Sequence, residues 1–236
     1  MTKGNLYLIP TPLGDTGFEA GIPAFNLQIL RKIDTFIVEE LRTARRFLRK
    51  AGYNKDFESV TFYLLNEHTP DNEAVTMLEK AIAGQHIGLL SEAGLPCIAD
   101  PGNIVVRLAH CKGIRVIPLA GPSSIMLALM ASGLNGQNFV FRGYLPVKPD
   151  ERARTLRELE QASGKDKQTQ IFIETPYRNM AMLESIIKTC HPSLMLCIAA
   201  DLTLETEWIR SMTVSEWKRE IPELHKRPAV FLLGGR

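Results

Sequence analysis

Ile87-Gly88-Leu89-Leu90-Ser91-Glu92-Ala93-Gly94-Leu95-Pro96, followed shortly by Asp100-Pro101-Gly102, reads as a buried strand breaking into a glycine- and proline-rich loop. An apolar run without polar alternation, bounded by turn residues, fits a strand covered on both faces. The pattern recurs on either side. Leu6-Tyr7-Leu8-Ile9 stops at Pro10-Thr11-Pro12-Leu13-Gly14-Asp15, and Thr35-Phe36-Ile37-Val38 stops at Glu39-Glu40. Phe62-Tyr63-Leu64-Leu65 ends at Asn66-Glu67-His68, and Ile114-Arg115-Val116-Ile117 breaks at Pro118. Between these runs lie helical patterns. One follows Pro23 with Phe25, Ile29 and Ile33 on a face; the others cover 42–50, 71–83 (Val75, Leu78 and Ile82 inward) and 104–111. Strands alternating with helices predict a mostly parallel sheet with helices on both faces.

In such sheets ligands bind outside the carboxyl ends of the strands. The chemistry-bearing residues all fall there, in 10–15, 39–43, 66–69 and 91–102. Prolines 10 and 12 fix the backbone of the first loop, and Gly14 and Gly94 allow turns and close approach. Glu92 and Asp100 can accept hydrogen bonds from a ligand or cap helices. Gly121-Pro122-Ser123-Ser124 opens a helix whose first N–H groups can be capped or can hold an anion. No GxGxxG follows the first strand and no GxxxxGK[ST] occurs, which argues against an ordinary dinucleotide fold and a P-loop NTPase.

Leu119 to Pro122 reads as a crossover, dividing the chain into 1–118 and 119–236. The second half carries helices at 123–130, 150–161, 178–188 and 214–220, and strands at 170–174, 194–200 and 229–233. The 236 residues suffice for two domains of this size. A formal charge of +2 announces no nucleic-acid binder at whole-molecule scale, although Arg42, Arg45, Arg46, Arg49 and Lys50 form a local basic helix. Cys97, Cys111, Cys190 and Cys197 lack metal-ligand spacing, so no metal is expected, and free thiols fit a reducing cytoplasm. No segment has the form of an export signal or a membrane span.

Taken together, the loops resemble the tetrapyrrole methylase superfamily, and within it the branch of small-subunit ribosomal RNA cytidine 2′-O-methyltransferases. Pro10 to Asp15 is similar to P-T-P-[IL]-G-N, Glu39-Glu40-Leu41-Arg42 to E-D-T-R, and Ser91 to Pro96 with Ala99 to Gly102 to S-D-A-G-T-P and S/N-D-P-G. Gly121 to Ser124 matches G-P-S-[SA]; Arg142 to Pro146 resembles E-G-F-L-P, Ile173 to Arg178 Y-E-S-P-H-R, and Ala199 to Leu204 A-R-E-L-T-K. The resemblance runs in unbroken order from about residue 5 to 235.

It implies a two-domain α/β fold, with a mostly parallel sheet in the N-terminal domain and a mixed sheet in the C-terminal one. S-adenosyl-L-methionine is then expected in a cleft between the domains, and the protein is expected to be a homodimer. Position by position, the implied cofactor contacts are Pro12, Leu13, Ser91, Glu92, Ala93, Ile98, Gly121, Ser123, Ala199, Ala200 and Leu202. Glu92, Glu40 and His68 are the candidates for taking a proton from an acceptor hydroxyl. The implied acceptor is a cytidine ribose of ribosomal RNA in the small subunit. A small-molecule acceptor, or a cofactor-binding protein without catalysis, stands as the alternative. Departures from the family pattern include Asp15 for Asn, Glu92 for Asp, Arg142 for Glu, Tyr177 for His, Ala200-Asp201 for Arg-Glu and Leu204 for Lys.

Overall fold

The computed structural model describes residues 2–66 and 68–235, so Glu67 of the third loop lies outside the described residues. The chain separates into two compact units, Met1–Ser123 and Ser124–Arg236.

The first unit is built on strands β1 (Asn5–Ile9), β2 (Thr35–Val38), β3 (Thr61–Leu64), β4 (Ile87–Leu90) and β5 (Arg115–Pro118). They pair in the order β3-β2-β4-β1-β5, every pairing parallel. The uninterrupted apolar runs serve this placement: all four residues of both β2 and β4 are buried. After β1 the chain crosses β4 to reach β2, whereas after β4 it crosses β1 to reach β5. The connections therefore depart in opposite directions from two neighbouring strands, which opens a crevice at their carboxyl ends. The loops 10–16 and 91–102 edge that crevice.

Helices α1 (Ala24–Leu30), α2 (Leu41–Lys50), α3 (Asp71–Thr76), α4 (Glu79–Ile82) and α5 (Asn103–Cys111) cover the sheet. One core layer joins Leu30, Phe36, Leu48, Tyr53 and Leu90; another joins Leu6, Ile37, Leu78, Val105 and Ile114. Two helical faces differ from expectation. Phe25 is exposed, because α1 buries Asn26 and Leu30 instead, and Asn26 Nδ2 donates to Ala120 O at 2.7 Å. The single helix expected over 71–83 is interrupted at Met77–Leu78, and its second piece turns Ala81 inward while Ile82 faces out.

The second unit carries a mixed sheet in the order β6-β7-β10-β8-β9. Its strands are β6 (Phe139–Tyr144), β7 (Thr169–Ile173), β8 (Met195–Ala200), β9 (Trp208–Thr213) and β10 (Ala229–Gly234). Only β6 and β7 pair in parallel; β10 runs antiparallel to both its neighbours, as does β9 to β8. β10 is buried along its whole length at the sheet centre. The strands β6 and β9 were not read from the sequence. Both are edge strands, which need no run apolar on both faces, and Gly143 (φ +65°) shifts the register of β6. Helices α6 (Ser124–Ser132), α7 (Pro149–Asp166), α8 (Asn179–Thr189) and α9 (Val214–Trp217) complete the unit. Trp217, fully buried, donates its indole N–H to Leu196 O at 2.9 Å. No helix among the described residues is long and apolar enough to cross a membrane.

Candidate active site

The loops after β1 and β4 are stitched together at the crevice. Thr11 and Gly94 exchange backbone hydrogen bonds of 3.0 and 3.1 Å. The Thr11 hydroxyl lies 3.3 Å from both the carbonyl and the hydroxyl oxygen of Ser91, and Ser91 Oγ donates to Gly94 O at 2.6 Å. Gly94 sits at φ +77°, in the left-handed region, with Leu13 Cδ2 only 3.0 Å from where a Cβ would be. Gly121 closes the same corner: a Cβ there would fall 2.3 Å from Pro10 Cβ.

Asp100 shapes the rest of the β4 loop. Its Oδ1 accepts from the backbone N–H of Cys97 and of Gly102, each at 2.8 Å. The segment so held contains two non-glycine residues at positive φ, Cys97 (68°) and Ala99 (62°), with Ile98 between them exposing its apolar side chain. Conformations of this kind are costly and persist where the surroundings over-determine them, commonly at functional sites.

Helix α2 starts at the end of β2 and contributes the third wall. Glu40 caps it: its carboxylate accepts from Thr43 N at 2.7 Å, and these backbone bonds hold its pKa below the usual value. The Thr43 hydroxyl lies 2.8 Å from Glu92 Oε1 and donates to it, so the ends of β2 and β4 are tied by side chains too. One face of α2 then presents Thr43, Arg46, Phe47 and Lys50. Lys50 pairs with Asp15 of the β1 loop, and this hydrogen bond and charge lower the Asp15 pKa. These residues, with Leu13, Phe18, Leu90 and Ala93, enclose a pocket of about 270 Å³. Arg45 and Arg49 point elsewhere. The Arg45 guanidinium stands 5.5 Å from the ring centroids of Phe57 and Phe62; that of Arg49 stands 4.0 Å from Phe57.

Glu39, the last residue before the cap, is half-buried, and none of the described residues donates a hydrogen bond to it. Burial first, then the negative charges of Asp100 and Glu92, raise its pKa to about 7. A carboxyl group poised there can take up or release a proton at neutral pH. Sequence reading had grouped Glu39 with Glu40 and favoured the latter, whose carboxylate is committed to its cap. Only the strand register, which seats Glu39 between neighbours on both sides, separates the two.

The other expected residues divide by position. Pro12, Leu13, Ser91, Glu92 and Ala93 come together on the pocket; Ile98 lies further along the loop after β4, and Gly121 lies after β5, against Pro10. Ser123 directly precedes α6. Ser91 is buried with its hydroxyl engaged, and Gly121 is packed on Pro10, so both serve through their backbone. His68 is exposed beyond β3 and does not line the pocket. In the second unit Ala199, Ala200 and Leu202 are buried, Ala200 in the core of that unit and Ala199 on the opposite face of β8. Asp201 and Thr203 there stand at φ 53° and 71°, and Asp201 Oδ2 accepts from Arg227 Nε at 2.7 Å and Thr206 Oγ1 at 3.0 Å. The departures have local partners: Arg142 Nε donates to Gln170 Oε1 at 2.9 Å, and the exposed Tyr177 meets His225 edge-on. Among the described residues no group of three or more His, Cys, Asp or Glu side chains is placed to hold a metal.

Comparison with known proteins agrees with this architecture. The methyltransferase CobJ superposes with a TM-score of 0.65 at 18% identity, covering 98% of this chain and 94% of that one. Native uroporphyrin III C-methyl transferase from Thermus thermophilus gives 0.60 at 16% identity, covering 98% and 97%. At that identity the likeness shows the fold. The sequence relatives go further. A protein named ribosomal RNA small subunit methyltransferase I, from Escherichia coli O157:H7, is 33% identical over 99% of this chain and 79% of its own length. One of the same name from Vibrio cholerae is 33% identical over 98% and 77%. The model of the family described as Tetrapyrrole (Corrin/Porphyrin) Methylases matches residues 5–218, and the chain belongs to that family.

Proposed function

We propose that this chain methylates ribosomal RNA of the small subunit, with a cytidine ribose 2′-hydroxyl as acceptor. That it is an S-adenosylmethionine-dependent methyltransferase follows from its family and relatives. The observation that carries the RNA reading is similarity along almost the whole chain to proteins named for that substrate. Two copies of the chain acting together, in the cytoplasm, belong to the same proposal.

The loops of the first unit fit the cofactor. A crevice at a topological switch point, edged by a rigid doubly bridged loop pair and by the exposed Ile98, suits a flat ligand with an apolar edge. Pro12, Leu13, Ala93 and Ile98 would hold it by side chain, Gly121 and Ser91 by backbone, and Ser123 would add a contact of its own. Bound there, the cofactor supplies an electrophilic methyl group on a sulfonium centre. The chain's task is then to orient the acceptor hydroxyl and to take its proton as the oxygen–carbon bond forms. Glu92 is one candidate from the sequence, and Glu39 joins it from the geometry. Glu40, held in its cap, and His68, away from the pocket, receive less support from the fold.

The test is transfer of labelled methyl from S-adenosylmethionine to small ribosomal subunits from cells lacking the gene, followed by mapping of the modified nucleotide. Label on one cytidine ribose is expected. Label on a base, or only on a small-molecule acceptor, contradicts the proposal.

A further inference from the structure

The pocket between α2 and the loops after β1 and β4 shares Pro12, Leu13, Ser91, Glu92 and Ala93 with the expected cofactor contacts, and adds an α2 wall of Thr43, Ala44, Arg46, Phe47 and Lys50 that is not among them. Its walls differ in character. Leu13, Phe18, Ala44, Phe47 and Leu90 make an apolar side, with the Phe18 and Phe47 rings 5.7 Å apart. Arg46 and Lys50 stand one turn apart on the other, beside the mouth residue Asp15. Thr43 and Glu92, both exposed, form a hydroxyl–carboxylate pair on the same lining.

Size and charge together select an occupant. The space, about 270 Å³ and open on one side, can seat a group of nucleotide size. The cofactor carries a sulfonium and an ammonium cation against a single carboxylate, and no phosphate, so it offers two adjacent cations less than a nucleotide does. The two cations match a phosphodiester, which arginine grips by two parallel N–H bonds and lysine as a point charge. The apolar side offers what an unstacked base needs, an aromatic face and aliphatic contacts.

We infer that this pocket receives one nucleotide of the RNA, its base against Phe47 and Phe18 and its 5′-phosphate on Arg46 and Lys50. The inference rests on the RNA reading above and names the residues that select within it. On entry the phosphate takes over Lys50 from Asp15, releasing an exposed ion pair that is of little consequence to the fold. Glu92 and Thr43 belong to the same lining.

The experiment uses the full chain and two readouts. First, binding of cytidine and cytidine 5′-monophosphate is measured by titration, with and without S-adenosylhomocysteine. The monophosphate is expected to bind at least about tenfold more tightly than the nucleoside, a charge-assisted contact being among the stronger ones. Arg46→Glu abolishes that difference, Phe47→Ala weakens both ligands, and S-adenosylhomocysteine binding stays within about twofold in each variant. Second, methyl transfer to small subunits is followed: Arg46→Glu raises KM for the subunit by about tenfold or more. Ala44→Leu, which fills the pocket from the helix side, serves as a further variant should Phe47→Ala unfold. Equal affinity for nucleoside and monophosphate, displacement of the monophosphate by S-adenosylhomocysteine, or an unchanged KM in Arg46→Glu each overturns the inference. If the wild-type chain transfers no methyl to subunits, the RNA reading falls on its own, and the nucleotide titration still decides the pocket.

Discussion

At Gly121 the absence of a single Cβ lets two loops meet. A methyl group there would lie 2.3 Å from Pro10 Cβ, so the strand-end loop must move or the crossover must. Gly121→Ala is expected to destabilise the protein by about 1–3 kcal/mol, as overpacking does in tight sites, and to weaken S-adenosylmethionine binding; denaturant unfolding and titration check both. Glu39 makes a different kind of prediction. Its folded-state pKa, about 7, lies above the ordinary 4.5, so the folded protein holds this proton more tightly than the unfolded chain. The stabilisation is complete below pH 4.5 and is lost as pH rises through 7. Glu39→Gln should therefore raise the unfolding free energy at pH 8, by about 1 kcal/mol once solvent screening of a half-exposed group is allowed for, and leave it nearly unchanged at pH 4. If Glu39 also takes the acceptor proton, the transfer rate of the wild type climbs with pH through about 7 and levels off. Glu39→Gln flattens that rise. A rise retained in Glu39→Gln removes Glu39 from that role. Spacing alone had placed the candidate carboxylates at the right strand ends, in Glu39-Glu40 and Glu92. It had no means of telling which was spent on a helix cap, since capping depends on where α2 begins and the run Glu-Glu-Leu-Arg does not mark that residue.

Elements convert these residues into surfaces. Helix α2 reads in sequence as a uniformly basic stretch, yet its positive charges have separate uses. Arg45 and Arg49 lie on Phe57 and Phe62, while Arg46 and Lys50 face the pocket. Reversing Arg46 should weaken RNA association steeply and in a salt-dependent manner, whereas reversing Arg45 should mainly cost stability through the lost ring contacts; filter binding at two salt concentrations separates the two. The central strands β2 and β4 were legible because a parallel strand buried on both faces must be apolar throughout. Phe25 was misplaced for the complementary reason: Asn26 takes the buried position by hydrogen-bonding Ala120 O, a satisfaction that no apolar periodicity reports. Edge strands β6 and β9 were missed because half-exposed strands with Arg142, Gly143, Arg210 and Ser211 carry too little pattern.

For the whole molecule, two compact units each keep a sheet with its own core, and the first brings the informative loops to the carboxyl ends of a switch-point sheet. Methyl transfer follows from the family match and the relatives, and the proposed RNA acceptor from the relatives and the lining of one pocket. The most direct measurement is the mapping of labelled methyl on small ribosomal subunits from cells lacking the gene, made in parallel with wild-type protein and the Arg46→Glu variant. The account predicts one labelled cytidine ribose with the wild type and about tenfold or more lower transfer by the variant at limiting subunit concentration. Transfer to a small molecule alone, or label that is the same for both proteins, would contradict it.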